Sequence, residues 1–291
     1  MYNLIVNPYA GNKKAKKITR KVVGFLKEQK AEYCVYFSEN KGDIVDITKE
    51  LCNKGEKEFI IIGGDGTIHQ VLNGASEVID KIKIGLIRAG SNNNICKSLR
   101  INKNYIKATQ DILSGNIKKI DCILCNDLYC VNSVSLGLNV ELYKKTKRNL
   151  GYKTIPHTFF LLKKYKGINV DMQFNDNDIK DVNVLQLAVC NGEYFENYVR
   201  ISPLSNLQDA RLNVVAISNT NISRIKLLYD IFKGKHIYRD YTKQFWVNKI
   251  TLQSKEKIDA KLDGESYTFD KFDIAIQKNK LNIFSNKDVH F

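Results

Sequence analysis

The first 114 residues alternate short apolar runs with segments whose apolar residues recur every three or four positions. The apolar runs predict buried strands at Tyr2–Val6, Glu32–Phe37, Glu58–Ile62 and Ile82–Ile87. The three-to-four spacing predicts helices at Lys13–Gln29, Ile44–Leu51, Thr67–Asn73 and around Ile95. Four successive strand–helix units are typical of an α/β domain with a mainly parallel sheet.

After residue 114 the pattern changes to alternating apolar and polar positions, which is typical of strands with one buried face. Two apolar runs on either side of the Asn126-Asp127 turn predict a hairpin. Further strands are predicted in "GINVDMQF", "VNVLQLAVCN", "ARLNVVAIS", "FWVNKITLQS", "IDAKLDGE" and "FDIAIQKNKLNIF", with helices at Lys153–Tyr165 and Ile222–Phe232. We therefore expect an α/β domain of residues 1–118, to which residues 284–291 could return, and a β-rich domain of residues 119–283.

The composition is that of a soluble globular protein, with 43% hydrophobic and 26% charged residues in a chain of 291. No run of 18 or more apolar residues predicts a transmembrane helix, and the first residues lack the basic region of a secretion signal. Seven cysteines without framework spacing indicate a reducing compartment, so we expect a cytoplasmic protein. The CxxC at Cys122 and Cys125 has no second pair nearby, and we interpret it as buried strand thiols rather than a zinc site.

The net charge of +15 comes almost entirely from lysine, since only eight of the 46 basic residues are arginine. One interpretation is a lysine-rich solvated surface. The other is attraction to an anionic membrane, where each lysine near the surface adds about 1 kcal/mol. The lysines are spread along the chain and arginine is scarce, so we do not expect a nucleic-acid partner.

The stretch "GGDGT", Gly63 to Thr67, joins a buried strand to a helix. Glycines there leave backbone N–H groups open to a phosphate, and the helix N-terminus adds positive partial charge. Asp65 alone would repel a phosphate, but it suits Mg²⁺ or a nucleotide hydroxyl, and Thr67 can cap the helix or bind a phosphate oxygen. Neither GxxxxGK[ST] nor GxGxxG occurs. In isolation, a tight turn with a structural Asp65 would explain the motif.

Six motifs in order make the chain resemble the diacylglycerol kinase catalytic-domain family, which includes bacterial soluble lipid kinases and sphingosine kinases. They are "NPYAG", "GGDGTIHQVLNG", "GSNNNICKSL", "IDCILCNDLYCVNSVSLG", "CNGEYF" with "RISPLSNLQDARLN", and "KLDGE". The resemblance covers almost the whole chain. It implies an α/β nucleotide-binding domain, a β-sandwich-like second domain, and an active site in the cleft between them.

The resemblance also implies roles for individual residues. Glu265 of "DGE" would be the general base that takes the proton of a lipid hydroxyl, with Asp263 in support and Asp65 as the second catalytic carboxylate. This agrees with phosphoryl transfer, which needs positioning, charge neutralisation and an aligned hydroxyl. ATP with Mg²⁺ would be bound by Asn7, Gly64, Asp65, Gly66, Thr67, Ser91 and Asn93.

Several positions depart from the family pattern. Ser91 replaces a threonine but keeps the hydroxyl, and Asn94 replaces an aspartate. The "DARLN" segment has Ala210 and Asn213 where the family pattern has glycine and aspartate. A structural divalent ion at Asp209 is therefore expected to be held with less charge. The glycine-rich run expected after "CNGEYF" is replaced by "ENYV".

The leading hypothesis is a lipid kinase that converts diacylglycerol to phosphatidic acid. Such an enzyme must visit an anionic membrane surface peripherally and reversibly. Residues around Leu150–Leu162 would enter the bilayer or form a core-facing helix, and edge strands could pair two copies into a homodimer. One alternative is a kinase for a sphingoid base, another glycerolipid or NAD, although the Asn-Glu pair of NAD kinases is not found in "CNGEYF". The other alternative is an inactive nucleotide- or membrane-binding homologue.

Overall fold

The computed structural model describes residues 1–40, 42–146, 164–175, 177–194, 199–219 and 223–288. The helices are α1 (Ala10–Glu28), α2 (Asp43–Asn53), α3 (Asp65–Gly74), α4 (Asn94–Ser98), α5 (Tyr105–Leu113), α6 (Leu138–Thr146) and α7 (Arg224–Phe232). The first strands are β1 (Tyr2–Val6), β2 (Tyr33–Phe37), β3 (Glu58–Gly63), β4 (Lys83–Arg88), β5 (Ile117–Cys125), β6 (Leu128–Cys130) and β7 (Ser133–Gly137). The remaining strands are β8 (Ile168–Phe174), β9 (Asn177–Cys190), β10 (Leu212–Ser218), β11 (Thr242–Val247), β12 (Lys249–Leu262) and β13 (Glu265–Phe284).

The N-terminal strands pair in parallel in the order β2-β1-β3-β4. Strand β3 is almost entirely buried because helices from both sides contribute to the same apolar core. Val22 and Leu26 of α1, Leu72 of α3 and Ile112 of α5 belong to this core. The parallel arrangement places the turns that follow β1, β3 and β4 at one edge of the sheet.

Helix α5 was not predicted from the apolar spacing, because only three of its nine residues are buried. Its start is nevertheless marked in the sequence by Asn104. The side-chain oxygen of Asn104 accepts bonds from the N–H groups of Ile106 and Lys107, which is a standard N-cap arrangement. The helix covers β4, where the side chain of Ile112 lies against Gly85.

The C-terminal strands pair in antiparallel fashion around a second apolar core. The segment "FWVNKITLQS", predicted as one strand, is divided at Asn248 between β11 and β12. The division reflects different partners, because β11 pairs with β10 while β12 pairs with β7, β8 and β13. Most of the helix predicted at Lys153–Tyr165 lies outside the described residues. No helix of the described chain is long and apolar enough to cross a bilayer.

Strand β13 is 20 residues long and connects the two parts of the fold. Its first half pairs with β12, and its last residues pair with β5. At Asn282 and Ile283 it also runs parallel to β4, so one strand extends from the β-rich region into the parallel sheet. The domain division at residues 118 and 119 stays a prediction, and residues 289–291 lie outside the description.

The cysteines of the CxxC stretch are free and buried, as the sequence interpretation expected. Cys122 and Cys125 lie on β5, and Cys130 lies on the neighbouring strand β6. Within the described ranges, no group of three or more His, Cys, Asp or Glu side chains is placed to hold a metal ion.

Ala210 has a left-handed backbone conformation, with a φ of 56°. Its N–H donates to Asp121 Oδ2 at 2.7 Å, which keeps the turn before β10 in this conformation. An alanine pays a steric cost in the left-handed region that a glycine does not pay.

We predict that Ala210→Gly raises the free energy of unfolding by about 0.5–1 kcal/mol, because the relief of strain exceeds the added entropy of the unfolded chain. Urea denaturation measures this change. Ala31, whose φ is not positive, provides the matched control, and Ala31→Gly should lower stability. Equal destabilisation by both substitutions would contradict the assignment of strain to Ala210.

Candidate active site

Three turns meet at the carboxyl edge of the parallel sheet, and glycines allow their backbones to approach closely. A Cβ on Gly64 would lie 3.0 Å from the Cα of Gly90, and a Cβ on Gly90 would overlap the Cα of Gly64. A Cβ on Gly11 would overlap the carbonyl oxygen of Ala89. The turns after β1, β3 and β4 therefore form one continuous backbone surface.

Asp65 connects the turn after β3 to helix α4. Its Oδ2 accepts a bond from the N–H of Asn94 at 2.9 Å, and its Oδ1 accepts one from the N–H of Ile95 at 2.9 Å. A carboxylate at the start of a helix is stabilised by the positive end of the helix dipole. The structure thus shows Asp65 as a clamp between two turns, while its role towards Mg²⁺ stays a prediction.

Asn7 and Asn93 stabilise the turns on which they lie. The Oδ1 of Asn7 accepts a bond from the N–H of Tyr9 at 3.0 Å. The side chain of Asn93 closes a ring with Gly90, since its Oδ1 accepts from the Gly90 N–H at 2.9 Å and its Nδ2 donates to the Gly90 oxygen at 2.6 Å. Ser91 is exposed at the tip of that turn, between these two partners.

The start of α3 has the properties of an anion-binding site. The first N–H groups of a helix have no carbonyl partner within the helix, and those of α3 lie on the turn that contains Gly64 and Gly66. Both glycines are half-buried and carry no side chain that would keep a phosphate away. The side chain of Thr67 is buried against Gly63, so Thr67 supports the turn from the protein interior. These residues fit the phosphates of a nucleotide.

Lys97 provides a positive charge beside this turn. Its Nζ donates to Asn94 Oδ1 at 3.3 Å and lies 6.0 Å from the centre of the Tyr194 ring. Burial lowers the pKa of Lys97, while the nearby Asp65 carboxylate acts in the opposite direction. Lys97 was not identified from the sequence, because one lysine among so many carries no signal.

Glu265 lies directly over the glycine turn. The turn before it has left-handed backbone at Asp263 and Gly264, with φ of 51° and 94°. Glu265 then begins β13, and its Oε1 lies so close to Gly66 that a Cβ on Gly66 would overlap it. The fold therefore brings together two motifs that are about 200 residues apart, and places a carboxylate beside the candidate phosphate site.

Asp263 fixes the position of the "DGE" turn. Its carboxylate accepts bonds from the N–H groups of Val131 at 2.6 Å, Asn132 at 2.7 Å and Ser133 at 3.1 Å. Burial raises the pKa of Asp263 to about 7, and the three N–H donors act against this rise. The Asp263 carboxylate thus binds the backbone of the loop between β6 and β7. By anchoring the turn two residues before Glu265, it supports the position of Glu265.

A second link joins α3 to β13 through His69 and Tyr267. His69 is 2% exposed, and its Nε2 lies 2.7 Å from the hydroxyl oxygen of Tyr267. Tyr267 stands two residues after Glu265 on β13, and burial followed by the Glu265 charge raises its pKa. Asn73 joins α3 to β6, since its side chain bonds to both the N–H and the carbonyl oxygen of Tyr129. Tyr267 was not identified from the sequence, and the signal that could have pointed to it is the alternation of apolar and polar residues along β13.

The segment around Asp209 is organised by another carboxylate. Asp121 accepts bonds from the N–H groups of Ala210 and Asn279, each at 2.7 Å. Asp209 Oδ1 accepts a bond from the N–H of Arg211 at 3.0 Å. A divalent ion at Asp209 stays a prediction, and the replacement segment "ENYV" lies outside the described residues except for Val199.

Comparison with known proteins gives two matching family models that together cover most of the chain. Residues 1–125 match the diacylglycerol kinase catalytic domain. Residues 135–284 match the YegS C-terminal NAD kinase beta sandwich-like domain. The first match ends with β5 and the second begins within β7, so the loop that Asp263 holds lies between them.

Individual relatives extend along nearly the full length. A diacylglycerol kinase of Staphylococcus carnosus is 23% identical, over 98% of this chain and 95% of its own. The crystal structure of a candidate diacylglycerol kinase from Bacillus anthracis has a TM-score of 0.81 at 21% identity, covering 99% of this chain and 96% of that one. An NAD kinase from Archaeoglobus fulgidus in complex with ATP shares the fold more distantly, with a TM-score of 0.53 at 13% identity, 99% of this chain and 94% of that one.

We predict that His69 remains neutral in the folded protein down to about pH 4, because burial lowers its pKa to about 4. The unfolded chain takes up this proton at about pH 6.5, so the contribution of His69 to stability is present above that pH and is lost as the pH falls towards 4. An NMR titration of the histidine rings, assigned with His69→Gln, measures the midpoint. A midpoint near 6.5 for this ring would contradict the burial.

Proposed function

Because the chain belongs to the diacylglycerol kinase catalytic-domain family and is a kinase of that kind, we propose that it phosphorylates a lipid hydroxyl. The γ-phosphoryl group of ATP would pass most simply to diacylglycerol, giving phosphatidic acid. The observation that carries this proposal is the contact of Glu265 with Gly66. It puts a carboxylate beside the glycine turn, where an acceptor hydroxyl must meet the phosphate.

In this proposal the nucleotide lies in the cleft between the glycine turn and the "DGE" turn. Its phosphates rest on the backbone of Gly64 to Thr67 and reach the turn of Ser91 and Asn93. Mg²⁺ held by those phosphates would neutralise their charge during transfer, as in other phosphoryl-transfer enzymes. Asp65 is the carboxylate of the glycine turn, and its bonds from the N–H groups of Asn94 and Ile95 keep it oriented.

Glu265 takes the part of the general base. The lipid hydroxyl oxygen forms a bond to the γ-phosphorus, and the bond from that phosphorus to the bridging oxygen of ADP breaks. The hydroxyl proton passes to the Glu265 carboxylate, while ADP leaves with the electron pair of the broken bond. The three backbone bonds of Asp263 hold the turn, which limits the loss of orientation that would slow such a step.

We propose that the protein works at the inner surface of the cell membrane and reaches its acceptor there without spanning the bilayer. The net charge of +15 supports attraction to an anionic leaflet. A homodimer through exposed strand edges remains our proposal for its assembly.

We predict that labelled phosphate passes from ATP with Mg²⁺ to diacylglycerol in mixed micelles, and that Glu265→Gln lowers kcat by about 100-fold or more. Asp270→Asn is the matched control, because Asp270 is an exposed carboxylate on the same strand. The panel also contains monoacylglycerol, ceramide, sphingosine, phosphatidylglycerol and NAD. Full turnover in Glu265→Gln would contradict the general base, and label on NAD alone would contradict a lipid acceptor.

We further predict that Gly66→Ala lowers kcat/KM by about tenfold or more with little change in melting temperature. The new Cβ occupies the position of the Glu265 carboxylate and displaces it from the phosphate turn. Gly24→Ala is the control, because Gly24 lies in α1 with no neighbouring atom within 4 Å of a new Cβ.

The control substitution should leave turnover unchanged and stabilise the protein by about 0.5–1 kcal/mol. Wild-type kinetics in Gly66→Ala would show that Glu265 does not need its position over the glycine turn.

A further inference from the structure

Helix α7 exposes a stripe of large apolar side chains to solvent. Ile225 is 62% exposed, Tyr229 is 54% exposed and Phe232 is 67% exposed. At about 100° per residue, these three positions lie within about 60° of one another around the helix. Leu227 and Asp230 on the opposite face are buried, and Leu227 packs on the outer face of β9 and β10. The stripe therefore points away from the protein.

Two further apolar side chains are exposed on segments next to the helix. Tyr238, in the short 3₁₀ turn after α7, is 76% exposed. Leu204 is exposed beside Pro203, and a Cβ on Gly234 at the end of α7 would lie 3.7 Å from the Pro203 ring. We call Leu204, Ile225, Tyr229, Phe232 and Tyr238 together the α7 surface. Exposed apolar side chains gathered in this way are typical of an interaction site.

The charges around this surface are mainly positive. Residues 224–239 contain five cationic side chains, Arg224, Lys226, Lys233, Lys235 and Arg239, and one carboxylate, Asp230. That carboxylate is buried, and it is occupied by Arg239 at 2.9 and 3.0 Å and by the hydroxyl of Tyr241 at 2.9 Å. Lys226, Lys233 and Lys235 are exposed, and Asp240 is the exposed acid that follows the segment. Lys226 and Lys233 lie about 90° and about 70° from the centre of the apolar stripe, on the same side of the helix.

We propose that the α7 surface docks on an anionic lipid bilayer. Apolar and aromatic side chains on one face, with lysines beside them, are the pattern by which a helix lies in the membrane interface. The lysines would bind lipid phosphates while Ile225, Tyr229 and Phe232 enter the boundary of the acyl chains. A second copy of the chain is a poorer occupant, because a twofold contact through this surface would bring the same lysines together.

Contacts connect the α7 surface to the candidate active site. The ring Nε2 of His236, in the 3₁₀ turn after α7, lies 2.9 Å from the carbonyl oxygen of Ile201. The next residue, Ser202, donates its N–H to the carbonyl oxygen of Glu193 at 3.3 Å. Tyr194 is the residue after Glu193, and the Lys97 ammonium group lies over its ring. Docking would thus hold the bilayer next to the segment that borders the site, and in this respect the inference rests on the proposed function.

The test measures binding to vesicles and does not require turnover. The triple variant Ile225→Ser, Tyr229→Ser and Phe232→Ser is compared with the wild type by co-sedimentation with phosphatidylcholine vesicles, with and without phosphatidylglycerol. The matched control is Phe37→Ser with Ile117→Ser, which removes exposed apolar side chains from the other part of the fold. We expect the wild type and the control to bind anionic vesicles, and the triple variant to bind about tenfold or more weakly.

A charge variant separates the two contributions. Lys226→Gln with Lys233→Gln should weaken binding by about fivefold per lysine in low salt, and this loss should disappear at high salt. Unchanged melting temperatures confirm that the substitutions at these exposed positions leave the fold intact. Absence of wild-type binding to anionic vesicles, or equal binding by the triple variant, overturns the proposal. The proposal is also overturned if the wild type is a dimer and the triple variant is a monomer that still binds vesicles as the wild type does.

Turnover in detergent micelles distinguishes this inference from the proposed function. At saturating micelle concentration, where docking no longer limits the rate, the triple variant should phosphorylate diacylglycerol at the wild-type rate, because none of its changes lies at the site. If the wild type transfers no phosphate while vesicle binding still depends on the α7 surface, the proposed function is wrong and the docking surface is supported.

Discussion

The contact of Glu265 with Gly66 depends on where strand β13 begins and where it ends. The strand starts at Glu265 over the glycine turn and reaches the parallel sheet at Asn282 and Ile283. Its 20 residues pair with β12 at one end and with β4 and β5 at the other. Because one continuous strand belongs to both regions, a displacement of its end at Asn282 and Ile283 would also move the Glu265 carboxylate. Precise placement of this group therefore requires the pairing of β13 with β12 and β5 as well as the short turn that carries it.

Carboxylates that accept backbone N–H bonds are the second element of the design. Asp65 holds the start of α4, Asp121 holds the turn at Ala210 and a bend of β13, and Asp263 holds the loop before β7. Each provides two or more strong, charge-assisted acceptors where several N–H groups converge. In this way the protein fixes irregular backbone around its candidate site with side chains, where no strand or helix could satisfy the same groups.

The sequence predicted those parts of the fold that depend on local patterns. Strands β1, β3 and β4 followed from runs of apolar residues, and the glycine turn followed from its motif. Helix α5 was not predicted because Ala108 and Ile112 give too short an apolar pattern. The break at Asn248 was not predicted because the pairing partners of a strand cannot be read from its own sequence. The contacts within the site are equally invisible in the local sequence. Asp65 accepts bonds from the backbone N–H groups of Asn94 and Ile95. Every residue except proline has such a group, so no pattern of side chains predicts these bonds. The pair of His69 and Tyr267, 198 residues apart, exists only in the folded chain.

The parallel pairing of β13 with β4 also has a consequence for biosynthesis. Asn282 bonds to the carbonyl oxygen of Ile82, which the ribosome adds 200 residues earlier. Until the later residues emerge, the nascent chain carries β4 as an open edge, and such edges are prone to pair with other chains. The carboxylate over the glycine turn is equally absent during that time. Until β13 is made, β4 is therefore an edge that chaperones have to protect, and the glycine turn lacks the Glu265 carboxylate that lies beside it in the folded protein.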